Sequence, residues 1–145
     1  MYTLLIADDE RAVREGISKS VCWSDIGIGR VLLAANGKEA YNIILKEHPN
    51  IVLTDIIMPV LTGIELVEKV KNNMPGIQFI ILSGYNDFAY AQKAIQNEVM
   101  QYLLKPCDAD SIRKSVQKAV SRIQDIENKE RFITSMKENV ERLFP

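Results

Sequence analysis

Five short, nearly continuous apolar runs, at 3–7, 30–35, 51–54, 78–82 and 102–104, alternate along this chain with segments whose apolar residues fall at helical spacing. Four of the five runs are rich in Ile, Val or Leu with little polar alternation, as in strands covered on both faces. The intervening segments, 10–21, 37–47, 62–73 and 87–97, and a last one from 109 onward, read as amphipathic helices. Regular exchange of strand and helix confines the chain to an α/β fold, a parallel sheet with helices on both faces. With 145 residues, 47% of them apolar, it suits one such domain with a short appendage.

Turn and capping residues fall at the same boundaries. Asn36 followed three residues later by Glu39 is a capping-box pattern that starts the second helix, and His48-Pro49-Asn50 ends it. Asn72-Asn73-Met74-Pro75-Gly76 closes the third helix, where Pro cannot continue and Asn or Gly tolerates a left-handed residue. Asn86 or Asp87 is placed to cap the fourth, and Asp108 or Asp110 the fifth. The loop from Cys22 to Gly29 is longer than a tight connection and carries no recognisable chemistry; Trp23 reads as a lid over the core.

A net charge of −1 supplies no basic field for gripping nucleic acid. Cys22 and Cys107, far apart and outside any C-x-x-C spacing, imply neither a disulfide framework nor a zinc site, and each reads as a small half-buried residue. The start lacks a basic segment followed by an apolar one, and no apolar stretch approaches a membrane span. These features lead to the expectation of an unexported, cytoplasmic protein with no membrane partner.

Charged residues stand where the apolar runs stop: Asp8 and Asp9 after the first, Asp55 after the third and Lys105 after the fifth. If the runs are neighbouring parallel strands, these groups converge at one crevice beyond the strand ends. Unit charges ~4 Å apart repel by about 4 kcal/mol at an effective dielectric near 20, so clustered carboxylates require a cation. Hard oxygen ligands without His or Cys select Mg²⁺ or Mn²⁺, and Mg²⁺ commonly shares its shell with a phosphate. A carboxylate in such a site can attack a phosphoryl group, and Asp55 is the natural nucleophile. Lys105 would neutralise phosphoryl oxygens, while the Ser83 hydroxyl is placed to hydrogen-bond one and Gly84 leaves room for it.

The motifs Leu5-Ile6-Ala7-Asp8-Asp9-Glu10, Asp55-Ile56-Ile57-Met58-Pro59 with Gly63, Ser83-Gly84-Tyr85 and Tyr102-Leu103-Leu104-Lys105-Pro106 come in an order and spacing that is highly specific. Over about residues 1–125 the chain resembles the receiver domain of bacterial two-component response regulators. The resemblance implies a flavodoxin-like (βα)5 fold, a doubly wound five-stranded parallel sheet of order 2-1-3-4-5. It implies Asp55 as phosphoacceptor from a sensor histidine kinase, with Mg²⁺ held by Asp9, Asp55 and the Ile57 backbone carbonyl, and by Asp8 mainly through water. Ser83 and Tyr102 resemble the family's switch pair, in which Ser83 moves toward the phosphoryl group and Tyr102 turns inward. In this family the residues two beyond the nucleophile and two beyond the switch hydroxyl influence water access, and bulky Ile57 and Tyr85 there imply slow self-dephosphorylation. Such a domain is a phosphoryl acceptor, not an enzyme, assisting only its own phosphorylation and dephosphorylation.

The segments Val21–Gly27 and Ser83–Ala91 resemble the subgroup whose receivers precede AraC-type DNA-binding domains. The expected organisation is a receiver over 1–122 and a linker helix over 123–145, with the effector that binds DNA outside this chain. Glu98 stands where the family often has Gly, Cys107 where Val or Ala is common, and Gln101 where an acid is frequent beside the switch Tyr. Two other readings stand beside the switch: a pseudo-receiver acting as a constitutive binding module, and an Asp-nucleophile phosphatase, for which the second acid of D-x-D is absent after Asp55. His48, the only histidine, reads as a surface turn residue, and Phe88, Tyr90 and Ile95 as core.

The last helical segment carries a further signal. Ile112, Ala119, Ile126, Ile133 and Val140 recur every seven residues, joined first by Val116 and Ile123 and later by Met136 and Leu143. This is the period of a coiled-coil seam. A helix from 109 to 144 would be roughly 50 Å long, against a radius of gyration of ~14 Å for a domain of this size, so its second half projects or folds back. Glu130 and Lys137 interrupt the seam at the positions four residues after Ile126 and Ile133, and leave a bent or fraying helix as the alternative. Homodimerisation is expected through this helix or through the face made by the fourth helix, fifth strand and fifth helix.

Overall fold

A computed structural model describes residues 1–84, 92 and 101–143. Five strands, β1 (Tyr2–Ala7), β2 (Ile28–Ala34), β3 (Ile51–Asp55), β4 (Gln78–Ser83) and β5 (Gln101–Leu104), pair in parallel in the order β2-β1-β3-β4-β5. The three helices α1 (Arg11–Ser20), α2 (Gly37–Glu47) and α3 (Gly63–Lys71) and a C-terminal helix (Ala109–Leu143) complete the described elements. Apart from Gln92, the 87–97 helix, its Asn86 or Asp87 cap, Tyr85, Glu98 and the Phe88, Tyr90 and Ile95 group lie outside the described residues.

The sheet is covered on both sides because its strands are apolar on both sides. Leu4, Ile6, Leu53, Ile80 and Leu82 pack under Ile17 of α1 and under Ile112, Val116, Ala119 and Ile123 of the C-terminal helix. Residues of the opposite parity, Leu5, Val52 and Ile81, pack under Ala40 and Ile44 of α2 and Leu66, Val67 and Val70 of α3. Side chains alternate across a strand, so a continuous apolar run serves both layers at once. Trp23 and Ile26, on a short 3-10 turn over Trp23–Ile26, are buried in the first layer, and the Trp23 indole donates to the Ser18 carbonyl at 2.8 Å. The loop thus closes the end of α1, as a lid should.

Asn36 caps α2 as expected, accepting the Glu39 amide at 2.8 Å, and Asp108 rather than Asp110 caps the C-terminal helix by accepting the Ser111 amide at 2.8 Å. The reciprocal capping box is at α3, where Thr62 accepts from the Glu65 amide and Glu65 accepts from the Thr62 amide. One expectation is corrected: Asn72, the residue closing α3, is right-handed at φ −73°, whereas His48, closing α2, takes the left-handed conformation at φ 48°. His48 donates its amide to Ile44 in that position, a closure that stops the helix before Pro49. Another concerns thiols: Cys107 is partly buried, but Cys22 is exposed at the start of the Trp23 turn.

The C-terminal helix runs unbroken for 35 residues, so it does not fray over the described part. Its last residue buried against the sheet is Ile123. At its exit the Tyr2 hydroxyl donates to Glu127 at 3.0 Å, tying the helix to the first strand. No helix among the described residues is long and apolar enough to cross a membrane.

Candidate functional site

The sheet order puts β1 between β2 and β3, with successive connections leaving on opposite sides, so a crevice opens past the carboxyl ends of β1 and β3. Asp8 and Asp9 follow β1 and Asp55 ends β3, and their carboxylate oxygens lie within 4.8 Å of one another. Asp8 is fully buried, Asp55 nearly so, and Asp9 is exposed. Lys105, one residue past β5, places Nζ 3.1 Å from Asp8 and 3.3 Å from Asp55. Sequence reasoning expected these four to meet, and they do.

Backbone amides fix the two buried carboxylates. Asp8 accepts the Glu10 amide at 2.9 Å, and its own carbonyl accepts from Arg14 at 2.8 Å. Asp55 accepts the Ile56 amide at 2.8 Å. Lys105 is registered by its amide, which donates to the Ser83 carbonyl at 2.6 Å, and the Lys105–Pro106 peptide is cis. The Gly63 amide donates to the Ile56 carbonyl, and any Cβ on Gly63 would sit 2.4 Å from the Asp55 carbonyl oxygen. Only glycine permits α3 to start so close to the end of β3.

Charge balance in the crevice is incomplete. Burial first, and the Asp8 carboxylate second, push the Asp55 carboxyl above the usual aspartate range, against the downward pull of Lys105. Burial works against the charge on Lys105, yet its hydrogen bonds and attraction to Asp8 and Asp55 win and raise its pKa. Three carboxylates face one ammonium. The set consists of hard oxygens with no soft donor, a good match to a divalent cation such as Mg²⁺.

Ser83 ends β4, fully buried, and donates to the Gly84 carbonyl at 3.0 Å, while the Tyr102 hydroxyl donates to Ser83 Oγ. The two residues of the expected switch pair therefore touch. Ile57 is exposed on the loop after Asp55. That loop carries a feature sequence reading missed: the Leu61 amide donates to the Pro59 carbonyl at 2.8 Å, closing a γ-turn on Val60 at φ 73°. A β-branched residue there is strained, and Val60 is also 78% exposed. A second unforeseen contact is that Gln101 donates to the Ser115 carbonyl and accepts from the Ser115 hydroxyl, both at 2.7 Å, joining β5 to the C-terminal helix beside Tyr102.

Residues 4–117 match the Response regulator receiver domain family. The chain is 40% identical over 131 residues to the uncharacterized transcriptional regulatory protein YesN of Bacillus subtilis, covering 89% of this chain and 36% of that protein. It is 39% identical over 108 residues to the transcriptional regulatory protein HptR of Staphylococcus aureus, covering 74% of this chain and 42% of HptR. The chain thus spans less than half the length of these relatives. Among solved structures, the REC domain of AraT, a response regulator from Geobacillus stearothermophilus, superposes with TM-score 0.82 at 34% identity over 87% of this chain and 98% of that one. A two component transcriptional regulator AraC from Clostridium phytofermentans superposes with TM-score 0.81 at 32% identity, over 86% and 97%.

Proposed function

The chain belongs to the response regulator receiver domain family, and from that premise we propose that Asp55 accepts a phosphoryl group from a sensor histidine kinase and that the acyl phosphate switches a transcriptional output. The observation that carries this reading is Lys105 Nζ bridging Asp8 and Asp55 at 3.1 and 3.3 Å in a buried, acid-rich crevice. One Asp55 carboxylate oxygen donates a lone pair to phosphorus as the bond from phosphorus to the donor breaks. The other oxygen is held by the Ile56 amide, which orients the carboxylate. Lys105 then turns part of its charge to the incoming phosphoryl oxygens, and buried Ser83 supplies a hydroxyl to them.

Asp8, Asp9, Asp55 and the Ile57 carbonyl are the residues that would hold Mg²⁺, with Asp8 acting through water. When bound, the ion supplies positive charge that offsets the acid cluster and the phosphoryl oxygens. Ser83 and Tyr102 serve as the switch pair, their mutual hydrogen bond supporting a shared response. We assign 1–122 to the receiver and 123–145 to a linker helix preceding an AraC-type DNA-binding domain. Pairing of two copies through that helix, or through the face containing β5, would carry the signal; the cytoplasm is the compartment of such a pathway.

The test is intact mass after incubation with acetyl phosphate and Mg²⁺. One phosphoryl mass is expected, absent in Asp55→Asn and with EDTA. Persistence of that mass in Asp55→Asn would overturn the assignment.

A further inference from the structure

Resting on the proposed self-association through the C-terminal helix, we propose that two copies of this chain pair along residues 126–143 in antiparallel orientation. Beyond Ile123 the helix leaves the domain, and Ile126, Phe132, Ile133, Met136, Val140 and Leu143 are all exposed. Ile126, Ile133 and Val140 hold one position of a heptad, and Lys129, Met136 and Leu143 the position three later, which together make a single seam broken only by Lys129. The Tyr2 hydrogen bond to Glu127 and the Glu127–Arg131 pair at 3.9 Å belong to a different side of the helix, so the exit is held; Ile126 and Glu130 border a groove shared with Pro49 and Met74 of the domain, and the seam beyond them stays open. A lone projecting helix of this length is marginal in water without a packing partner.

The charges flanking the seam identify that partner and its direction. In an antiparallel pair the two heptad positions face each other: Ile126 meets Leu143 of the second copy, Ile133 meets Met136, and Val140 meets Lys129. Lys129 can then lay its stem on an apolar neighbour and keep its ammonium in water. On the flank Glu130 stands beside Lys137 of the second copy, and symmetry repeats that attraction. Parallel pairing in register instead sets Lys129 against Lys129 inside the seam and Asp125 against Glu130 on both flanks, three like-charge encounters. None of Asp125, Lys129, Glu130 and Lys137 is held in an ion pair with another described residue, so all four are available across the pair. The seam is self-complementary only when reversed, which favours a second copy of this chain over an unrelated helix. The two receivers then sit at opposite ends of the paired helices.

The test uses the full chain with Cys22→Ser and Cys107→Ser, so that introduced thiols are the only ones. Antiparallel pairing puts the two residues 129 about 16 Å apart along the axis, beyond the roughly 7 Å limit of a disulfide, and brings 129 next to 140. Under mild oxidation a mixture of Lys129→Cys and Val140→Cys should crosslink while Lys129→Cys alone should not. Crosslinking of Lys129→Cys alone would overturn the orientation and leave the dimer standing. Sedimentation supplies a second readout: Glu130→Lys should weaken the dimer about tenfold and Glu130→Lys with Lys137→Glu should restore it, whereas parallel pairing makes Glu130→Lys tighten it. A monomer at all concentrations, with and without beryllofluoride and Mg²⁺, would overturn the self-association reading and this inference with it, and would leave the phosphorylation of Asp55 unaffected.

Discussion

Asp55 is held in a conflict that defines the site: a nearly buried carboxylate beside a fully buried one, with a single ammonium between them. Its pKa is raised, by burial first and by Asp8 second, so its ionisation opposes folding. Metal-free stability from this group is therefore full below the unfolded aspartate pKa and is lost as pH rises through the higher folded value. At neutral pH Asp55→Asn relieves that cost. In EDTA it is expected to raise the melting temperature by about 2–4 °C, the change that ~1 kcal/mol produces in a domain of this size, and to abolish most of the stabilisation that Mg²⁺ gives the wild type. Calorimetry of both proteins with and without Mg²⁺ checks this, and a wild type indifferent to Mg²⁺ would refute it. Ile57, exposed on the loop just past Asp55, is expected to slow water's access to the acyl phosphate. Ile57→Asn should lose its phosphoryl group several-fold faster than wild type in a chase after acetyl phosphate is removed.

At the level of elements, the loop from β3 to α3 combines a strong restraint with a strained one. Thr62 and Glu65 satisfy each other's amides at the start of α3, and Thr62→Ala should cost about 1 kcal/mol in urea unfolding. Val60 sits in the same loop at φ 73°, and Val60→Gly should stabilise by roughly 1 kcal/mol despite losing a side chain. The strands, α1 to α3 and the acid cluster were legible in the sequence because each rests on local pattern: an apolar run, a helical period, a charge at a run's end. The Val60 turn was not, since a Val rarely takes a positive φ and the bend goes with α3 being held close against β3 at Gly63. Nor was the Gln101–Ser115 pair, formed by two uncharged residues 14 apart whose meeting depends on how the C-terminal helix crosses β5. That pair ties the residue next to Tyr102 to the helix that leaves the domain. Gln101→Leu should leave acetyl-phosphate labelling of Asp55 intact and reduce any change in self-association caused by beryllofluoride, measured by sedimentation.

For the whole molecule, the C-terminal helix has two environments along one axis. Ile112, Val116, Ala119 and Ile123 complete the core, while the apolar residues from Ile126 onward face outward. The heptad period announced the length of this helix but not where burial ends, because the same spacing serves the core and the seam. A chain ending at Gln124 keeps every buried residue of the helix and loses only the partly buried Tyr2–Glu127 hydrogen bond at its exit, so it should unfold within about 1 kcal/mol of the full chain and lose self-association. The receiver reading itself depends on one atom accepting one group. Borohydride trapping after brief acetyl-phosphate treatment, followed by peptide mapping, locates that atom: reduction of an acyl phosphate converts its aspartate to homoserine. Conversion at position 55 alone, requiring Mg²⁺, is the expected result, and conversion at Asp8 or Asp9, or stable label on His48 with Asp55 unmodified, would contradict it.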